Sequence, residues 1–175
     1  DHLERIIKRV SREGLKVYDD YIKIFPNQIH IKGFNAKIPG DPSSASFLIA
    51  LASLLDKSKL TINNLLVNKY RLGFVQTLQK MGASIKLDKI SKNGNEPCAR
   101  IIVKGGNKLN PCTVSPDLIP SMIDEIPVLS LVCAHTNGIS KINGLGELRY
   151  KETDRIDSIC SVLDSMGVQI YSNSD

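Results

Sequence analysis

The chain has 175 residues, of which 42% are hydrophobic and 23% charged, values close to globular averages that exclude wholesale disorder. Twenty-three Lys and Arg stand against 18 Asp and Glu, a formal net charge of +5 that suits an anionic small molecule. The lysines are scattered and only five tyrosines and four phenylalanines offer stacking faces, so the pattern argues against RNA or DNA binding. The longest apolar stretches, Ala45 to Leu55 and Val128 to Ala134, fall well short of the roughly 20 residues a bilayer span requires. The chain shows no signal-peptide pattern and no anchor motif. Cys98, Cys112, Cys133 and Cys160 form no CxxC pair, and three histidines do not supply an ordinary zinc set. The expectation is a reduced, cytoplasmic protein without a metal.

In chain order, Asp1 opens directly into a helical pattern with Leu3, Ile6, Ile7 and Val10 on one face, which reads as a piece of something longer. The pattern then recurs. Segments ending in Gly14, Gly82 and Gly167 each combine an amphipathic helix, a glycine stop and a short alternating strand. Each glycine suits the left-handed position just past a helix. Tyr21 to Phe25 and Gln28 to Lys32 read as strands, Ser43 to Leu55 as a helix, and Lys59 to Asn63 as a strand. Arg71 to Met81 (helix), Ser84 to Leu87 (strand) and Arg100 to Lys104 (strand) follow, with Ser91 to Pro97 as an exposed loop. Pro127 to Thr136 reads as a helix, Ile139 to Asn143 as a strand and Thr153 to Met166 as a helix. Helices and strands interleave throughout, predicting an α/β (α+β type) fold of repeated units packed around buried helices. The break in pattern at Lys37 to Asp41 marks an internal boundary.

Three segments can carry chemistry. In GDPSSASFLIALASLL, Asp41 and Pro42 form a strong helix start, and the helix behind them is apolar almost all round, so burial between layers is expected. Ser43 and Ser44 at that start are either part of the cap or aimed at a bound anion. In IPSMIDEIPVLSLVCA, Asp124 and Glu125 precede Pro127, a plausible first helical residue, and either serve the helix dipole alone or, since Asp124 stands between Met122, Ile123 and Ile126 in a setting that disfavours its charge, supply a carboxylate suited to proton transfer. In GELRYKETDRIDSICSVLDSMG, a helical projection puts Ile156, Ile159, Cys160 and Leu163 on the buried stripe and Asp154, Asp157, Ser158 and Ser161 opposite. Glu152 then falls in the stripe and Arg155 at its edge, or, if the helix starts only at Thr153, Lys151 and Glu152 stand on the entering loop. Opposite charges turned inward beside Lys151 suit a site for an anionic substrate.

These segments, in this order, resemble the enolpyruvyl transferase family of the shikimate pathway, the EPSP synthases. The strings that carry the resemblance are DHLER, PGDPSSASF, NKYRLGFVQTLQKMGASI, IDEIPVLSLVCA and LRYKETDRI, the last matching the family's L-R-x-K-E-[ST]-D-R signature at every fixed position. The resemblance covers the whole chain, whereas the chain covers well under half of the family's length. It implies two similar domains of repeated helix–strand units, with residues 1–39 ending the first and 40–175 forming the larger part of the second. It implies transfer of the enolpyruvyl group of phosphoenolpyruvate to the 5-hydroxyl of 3-phosphoshikimate, with release of phosphate and no cofactor. The partners implied are these two small molecules, without nucleic acid or membrane, in a parent enzyme that is a monomer.

Carried over by the resemblance, Asp124 is the aspartate that contacts shikimate hydroxyls and accepts a proton, and Lys151 the lysine at the 5-hydroxyl. Glu152 is the proton donor to the methylene carbon of phosphoenolpyruvate, and Arg155 binds that substrate. Glu147 stands where some members carry a shikimate-contacting asparagine and is left out, and His2 stands near another shikimate contact. Protonating the methylene makes the adjoining carbon electrophilic, and a base relieves the attacking hydroxyl. Two readings compete with this one. A UDP-sugar enolpyruvyl transferase shares the fold but should lack K-E-[ST]-D-R, and a non-catalytic basic α/β module binding RNA would show salt-steep affinity for polyanions.

Overall fold

The computed structural model describes residues 2–11, 13–29, 33–93, 96–151 and 153–173. Helix α1 (His2–Val10) leads into a two-stranded antiparallel hairpin of β1 (Leu15–Val17) and β2 (Ile22–Ile24). The apolar stripe of α1 is formed as expected but largely uncovered, with Leu3 67% and Ile6 50% exposed. Gly14 departs from its expected role. Its φ is not positive, and space rather than left-handedness requires glycine there, because a Cβ would meet Ile29 Cγ1 at 2.5 Å. Gln28, expected to open a strand, instead closes the single 3-10 turn Pro26–Gln28, whose proline presets the turn. The rest of that expected strand, residues 30–32, lies outside the described residues. Residues 33–39 then run without regular structure, where the boundary was expected.

Helix α2 (Pro42–Leu54) begins where Asp41 and Pro42 placed it: the Asp41 carboxylate accepts from Ser44 N at 2.8 Å. One face packs Ala45, Ile49, Ala50 and Ala52 into the core. Burial on all sides does not occur, since Phe47, Leu48, Leu51 and Leu55 stay more than half exposed. The helix therefore meets β-structure on one side only.

That structure is an antiparallel sheet in the order β3 (Lys59–Leu66), β5 (Glu96–Lys104), β4 (Ser84–Asn93). Helix α3 (Gly73–Lys80) connects β3 to β4, ending at Gly82 with φ +104°. The expected loop at Ser91 to Pro97 is the tip of a long hairpin, paired Ser91 to Cys98, Lys92 to Pro97 and Asn93 to Glu96. Strand pairing therefore runs as far as residues 93 and 96, well into the segment expected to be a loop. Glu96 at this tip is held by α1: His2 Nδ1 lies 2.8 Å from its Oε1, and Arg5 donates to its Oε2. Burial opposes ionisation of Glu96, yet the hydrogen bonds from His2 and Arg5 hold its carboxyl below the ordinary range.

A second unit follows. Strand β6 (Thr113–Val114) pairs in parallel with β7 (Lys141–Ile142), and α4 (Ile126–Ala134) makes the crossover between them. A 3-10 turn at Gly146–Tyr150 then leads to α5 (Arg155–Ser165), which packs on α4. One core joins α2, the three-stranded sheet, α3 and α4, with Leu78, Ile101, Ile126, Leu129 and Leu148 fully enclosed. Gly167, at φ +82°, stops α5 as expected, but residues 168–173 form no strand among the described residues.

Candidate active site

Asp124 lies in the one-turn 3-10 helix Ile123–Glu125 that runs into α4. The tight turn decides which side chains go inside. Met122 and Ile126 are 1% and 0% exposed, whereas the Asp124 side chain is 57% exposed. The apolar neighbours in sequence therefore do not surround Asp124, and the expected hydrophobic setting for its carboxylate is corrected. Its neighbour Glu125 is the buried carboxylate, at 4% exposure, and burial pushes its pKa up, with the Asp124 charge adding to the effect. The Ser43 hydroxyl and the Arg71 guanidinium oppose that shift without cancelling it.

Arg71 and the α2 N-terminus form the wall beside Glu125. Arg71 donates to Ser43 Oγ at 2.7 Å and lies 3.5 Å from Asp41 Oδ1. Ser44 spends both its backbone N–H and its hydroxyl on Asp41 Oδ2, each at 2.8 Å. Burial pushes the Asp41 pKa up, but these bonds and Arg71 bring it below the ordinary carboxylate value. The two serines are thus engaged in the cap and its arginine. Sequence reasoning chose neither Arg71 nor Glu125 as a site residue. A buried acid next to an exposed one leaves no mark in the residue pattern, because the turn, not the composition, chooses between them.

Helix α5 places Arg155 opposite Asp124. Asp154 is the cap of this helix, its carboxylate accepting from Ile156 N at 3.0 Å and Asp157 N at 3.1 Å. Arg149 reaches the same carboxylate at 3.0 Å. The cap starts the helix at Arg155, two residues later than Thr153, and of the two alternatives the one with Lys151 ahead of the helix holds: Lys151 is exposed, in extended backbone. Glu152 lies outside the described residues. Within the helix the expected stripe holds, with Ile156 and Leu163 buried and Ile159 and Cys160 packed against the core.

The structure brings together two of the four sequence-chosen residues. Arg155 Nη1 lies 3.4 Å from Asp124 Oδ1, joining the start of α4 to the start of α5 across 31 residues of chain. The pair is part-exposed, with the arginine side chain at 34%, so it is a weak stabiliser and accessible to a solute. An acid beside a planar cation offers a proton acceptor and a two-pronged anion grip in one place. A groove of about 370 Å³ opens beside it, its floor of Pro127, Leu131, Ile159, Val162 and Met166 bordered by Arg155, Thr153 and Ser158. Among the described residues no group of three or more His, Cys, Asp or Glu is placed to hold a metal, and no helix is long and apolar enough to cross a membrane.

Helix–strand units on a shared core, with an exposed acid–arginine pair where two helices begin, define an α/β fold. The sequence model of EPSP synthase, 3-phosphoshikimate 1-carboxyvinyltransferase, matches residues 1–175, and the chain belongs to that family. It is 36% identical to the 3-phosphoshikimate 1-carboxyvinyltransferase of Aquifex aeolicus and 39% identical to that of Endomicrobium trichonymphae, in each case over its whole length. An EPSP synthase structure from Acinetobacter baumannii superimposes with a TM-score of 0.93 at 30% identity, covering 100% of this chain and 39% of that one. The chain spans about 40% of the length of the curated relatives it matches.

Proposed function

We propose that this chain is the middle-to-late part of an enzyme that moves the enolpyruvyl group of phosphoenolpyruvate onto the 5-hydroxyl of 3-phosphoshikimate, releasing phosphate. The observation that carries the reading is the Asp124–Arg155 pair, 3.4 Å apart and open to solvent, in a chain of this family. In this reading residues 1–39 close the first domain and residues 40–175 form most of the second. The separate β1–β2 sheet and the unstructured residues 33–39 support that division.

The roles follow from the chemistry. Asp124 contacts the shikimate hydroxyls and accepts the 5-hydroxyl proton as the oxygen attacks. Lys151, exposed at the loop before α5, stabilises that oxygen as it loses its proton. Glu152 protonates the methylene carbon, which makes the adjoining carbon electrophilic. Arg155 grips the anionic groups of phosphoenolpyruvate and exchanges part of its contact with Asp124 for them. No cofactor takes part, and the partners are the two small molecules in a monomeric, cytoplasmic enzyme that uses neither nucleic acid nor membrane.

The test is phosphate release from the two substrates, by the full-length protein and by the 175-residue chain of verified mass. Saturable release that needs both substrates is expected of the full-length protein and none of the chain alone, since a site closed between two domains is assembled only when both are present. Release from phosphoenolpyruvate with a UDP-sugar in place of 3-phosphoshikimate overturns the substrate assignment. Robust release by the chain alone overturns the division of the site.

A further inference from the structure

Cys112, one residue before β6, and Cys133, in the last turn of α4, hold their sulfurs 3.9 Å apart. The two residues are far apart in sequence and meet because the crossover folds α4 back onto the parallel β6–β7 pair. Both are free thiols and both are only partly buried. The pair is well fixed on each side. Cys112 N donates to Ser140 Oγ at 3.1 Å, and Cys112 O accepts from Lys141 N at 2.8 Å. The Cys133 carbonyl takes both the backbone N–H and the hydroxyl of Thr136, at 3.0 and 2.7 Å. The proposed reaction uses neither residue.

We propose that Cys112 and Cys133 are a peroxide-oxidisable dithiol, closing reversibly to a disulfide that ties α4 to β6. The geometry favours closure, since the sulfurs need approach only from 3.9 Å to about 2.05 Å. The hydrogen bond between the two sulfurs favours a thiolate on one of them while the other stays protonated.

The steps balance with a hydroperoxide as oxidant. The thiolate attacks the distal oxygen, the O–O bond breaks, and the departing oxide takes a proton, leaving that cysteine as a sulfenic acid. Conversion to that neutral acid removes the negative charge facing the second thiol. The second thiol then loses its proton to the departing hydroxide and its sulfur displaces it as water, forming the S–S bond. Two thiols and one hydrogen peroxide give one disulfide and two waters. A dithiol reductant reverses the bond by exchange. The other cysteines lack this arrangement: Cys98 is fully buried, its thiol donating to Glu96 O at 3.5 Å, and Cys160 is packed against the core.

The experiment treats the full-length protein with hydrogen peroxide, alkylates the remaining thiols, and maps the cysteine peptides by mass spectrometry. The expected product links the Cys112 and Cys133 peptides, about 2 Da lighter than the two thiol peptides together and separated again by dithiothreitol. In at least one of Cys112→Ser and Cys133→Ser, a sulfenic-acid trap should label the remaining partner at least tenfold more than Cys160. Recovery of both cysteines as free thiols after exposure that oxidises Cys160 overturns the proposal, and so does labelling of the remaining partner no greater than that of Cys160 in both variants. None of these readouts depends on enolpyruvyl transfer.

Discussion

Leu148 is the anchor of the loop that carries Lys151. It is 0% exposed, sits in the common core, and closes the turn through its N–H to Leu145 O at 2.9 Å. Two residues on, Tyr150 is 89% exposed, so the chain turns from core to solvent within one 3-10 turn. Leu148→Ala removes three buried carbons from a fully enclosed site, which costs the transfer energy of those atoms and leaves a cavity. Enclosed in the common core, the site can collapse little to repay that loss. The expected destabilisation is about 3–4 kcal/mol, in the upper part of the range for enclosed leucines. Leu148→Met conserves volume and should cost less than about 1.5 kcal/mol, and Tyr150→Ala should stay within about 0.5 kcal/mol. The assay is equilibrium urea unfolding of the full-length protein, comparing midpoints at unchanged slope. A loss under about 1 kcal/mol for Leu148→Ala, or equal losses for Leu148→Ala and Tyr150→Ala, would refute the claim that this leucine anchors the loop.

Three further outcomes are expected. Burial raises the pKa of Glu125 in the folded state, so folding favours its protonated form. Stability from this group is therefore present in acid and lost as pH rises from about 4.3 through the raised folded value. Glu125→Gln removes that titration, so its stability relative to wild type should be greater at pH 7 than at pH 4.5. Denaturant midpoints across that range decide it, and the opposite trend contradicts the reading. Gly105→Ala should cost at least about 3 kcal/mol, because its Cβ would meet Leu55 O at 1.9 Å and Ala52 O at 2.5 Å, both backbone atoms that cannot swing aside. Gly146→Ala, with nothing near its Cβ, is the control, and equal thermal midpoints for the two variants would exclude the clash. Glu152→Gln should keep both substrates bound while turnover falls at least about 100-fold, since shape survives and the proton does not. Turnover within a few-fold of wild type would remove Glu152 as the donor.

What could be read in the sequence was whatever depends on local rules. The Asp41–Pro42 start of α2 and the glycine stops at Gly82 and Gly167 need only nearby atoms, and they stand as expected. The acid–arginine pair was legible through motifs, which place Asp124 and Arg155 in separate segments that the fold then joins. Features set by long-range contact were not legible. Phe47, Leu48 and Leu51 are as apolar as their buried neighbours, and only the position of the sheet shows which side of α2 is covered. Helical periodicity left α5 free to run back through Glu152, but the Asp154 carboxylate takes two backbone N–H groups and fixes the start at Arg155. The exchange of Asp124 for Glu125 as the buried acid has the same origin, in a 3-10 turn whose phase differs from the helix that follows.

The central claim is that Asp124, set beside Arg155 at the head of two helices, accepts a proton during enolpyruvyl transfer. The direct measurement is steady-state phosphate release by full-length Asp124→Asn with saturating phosphoenolpyruvate and 3-phosphoshikimate. Asparagine keeps the size of the side chain and an oxygen for Arg155 while removing the base, so the fold should be undisturbed at this exposed position. The account predicts a kcat lower by about 100- to 10,000-fold at an unchanged thermal midpoint. A kcat within a few-fold of wild type, in protein that is folded and binds both substrates, would contradict it.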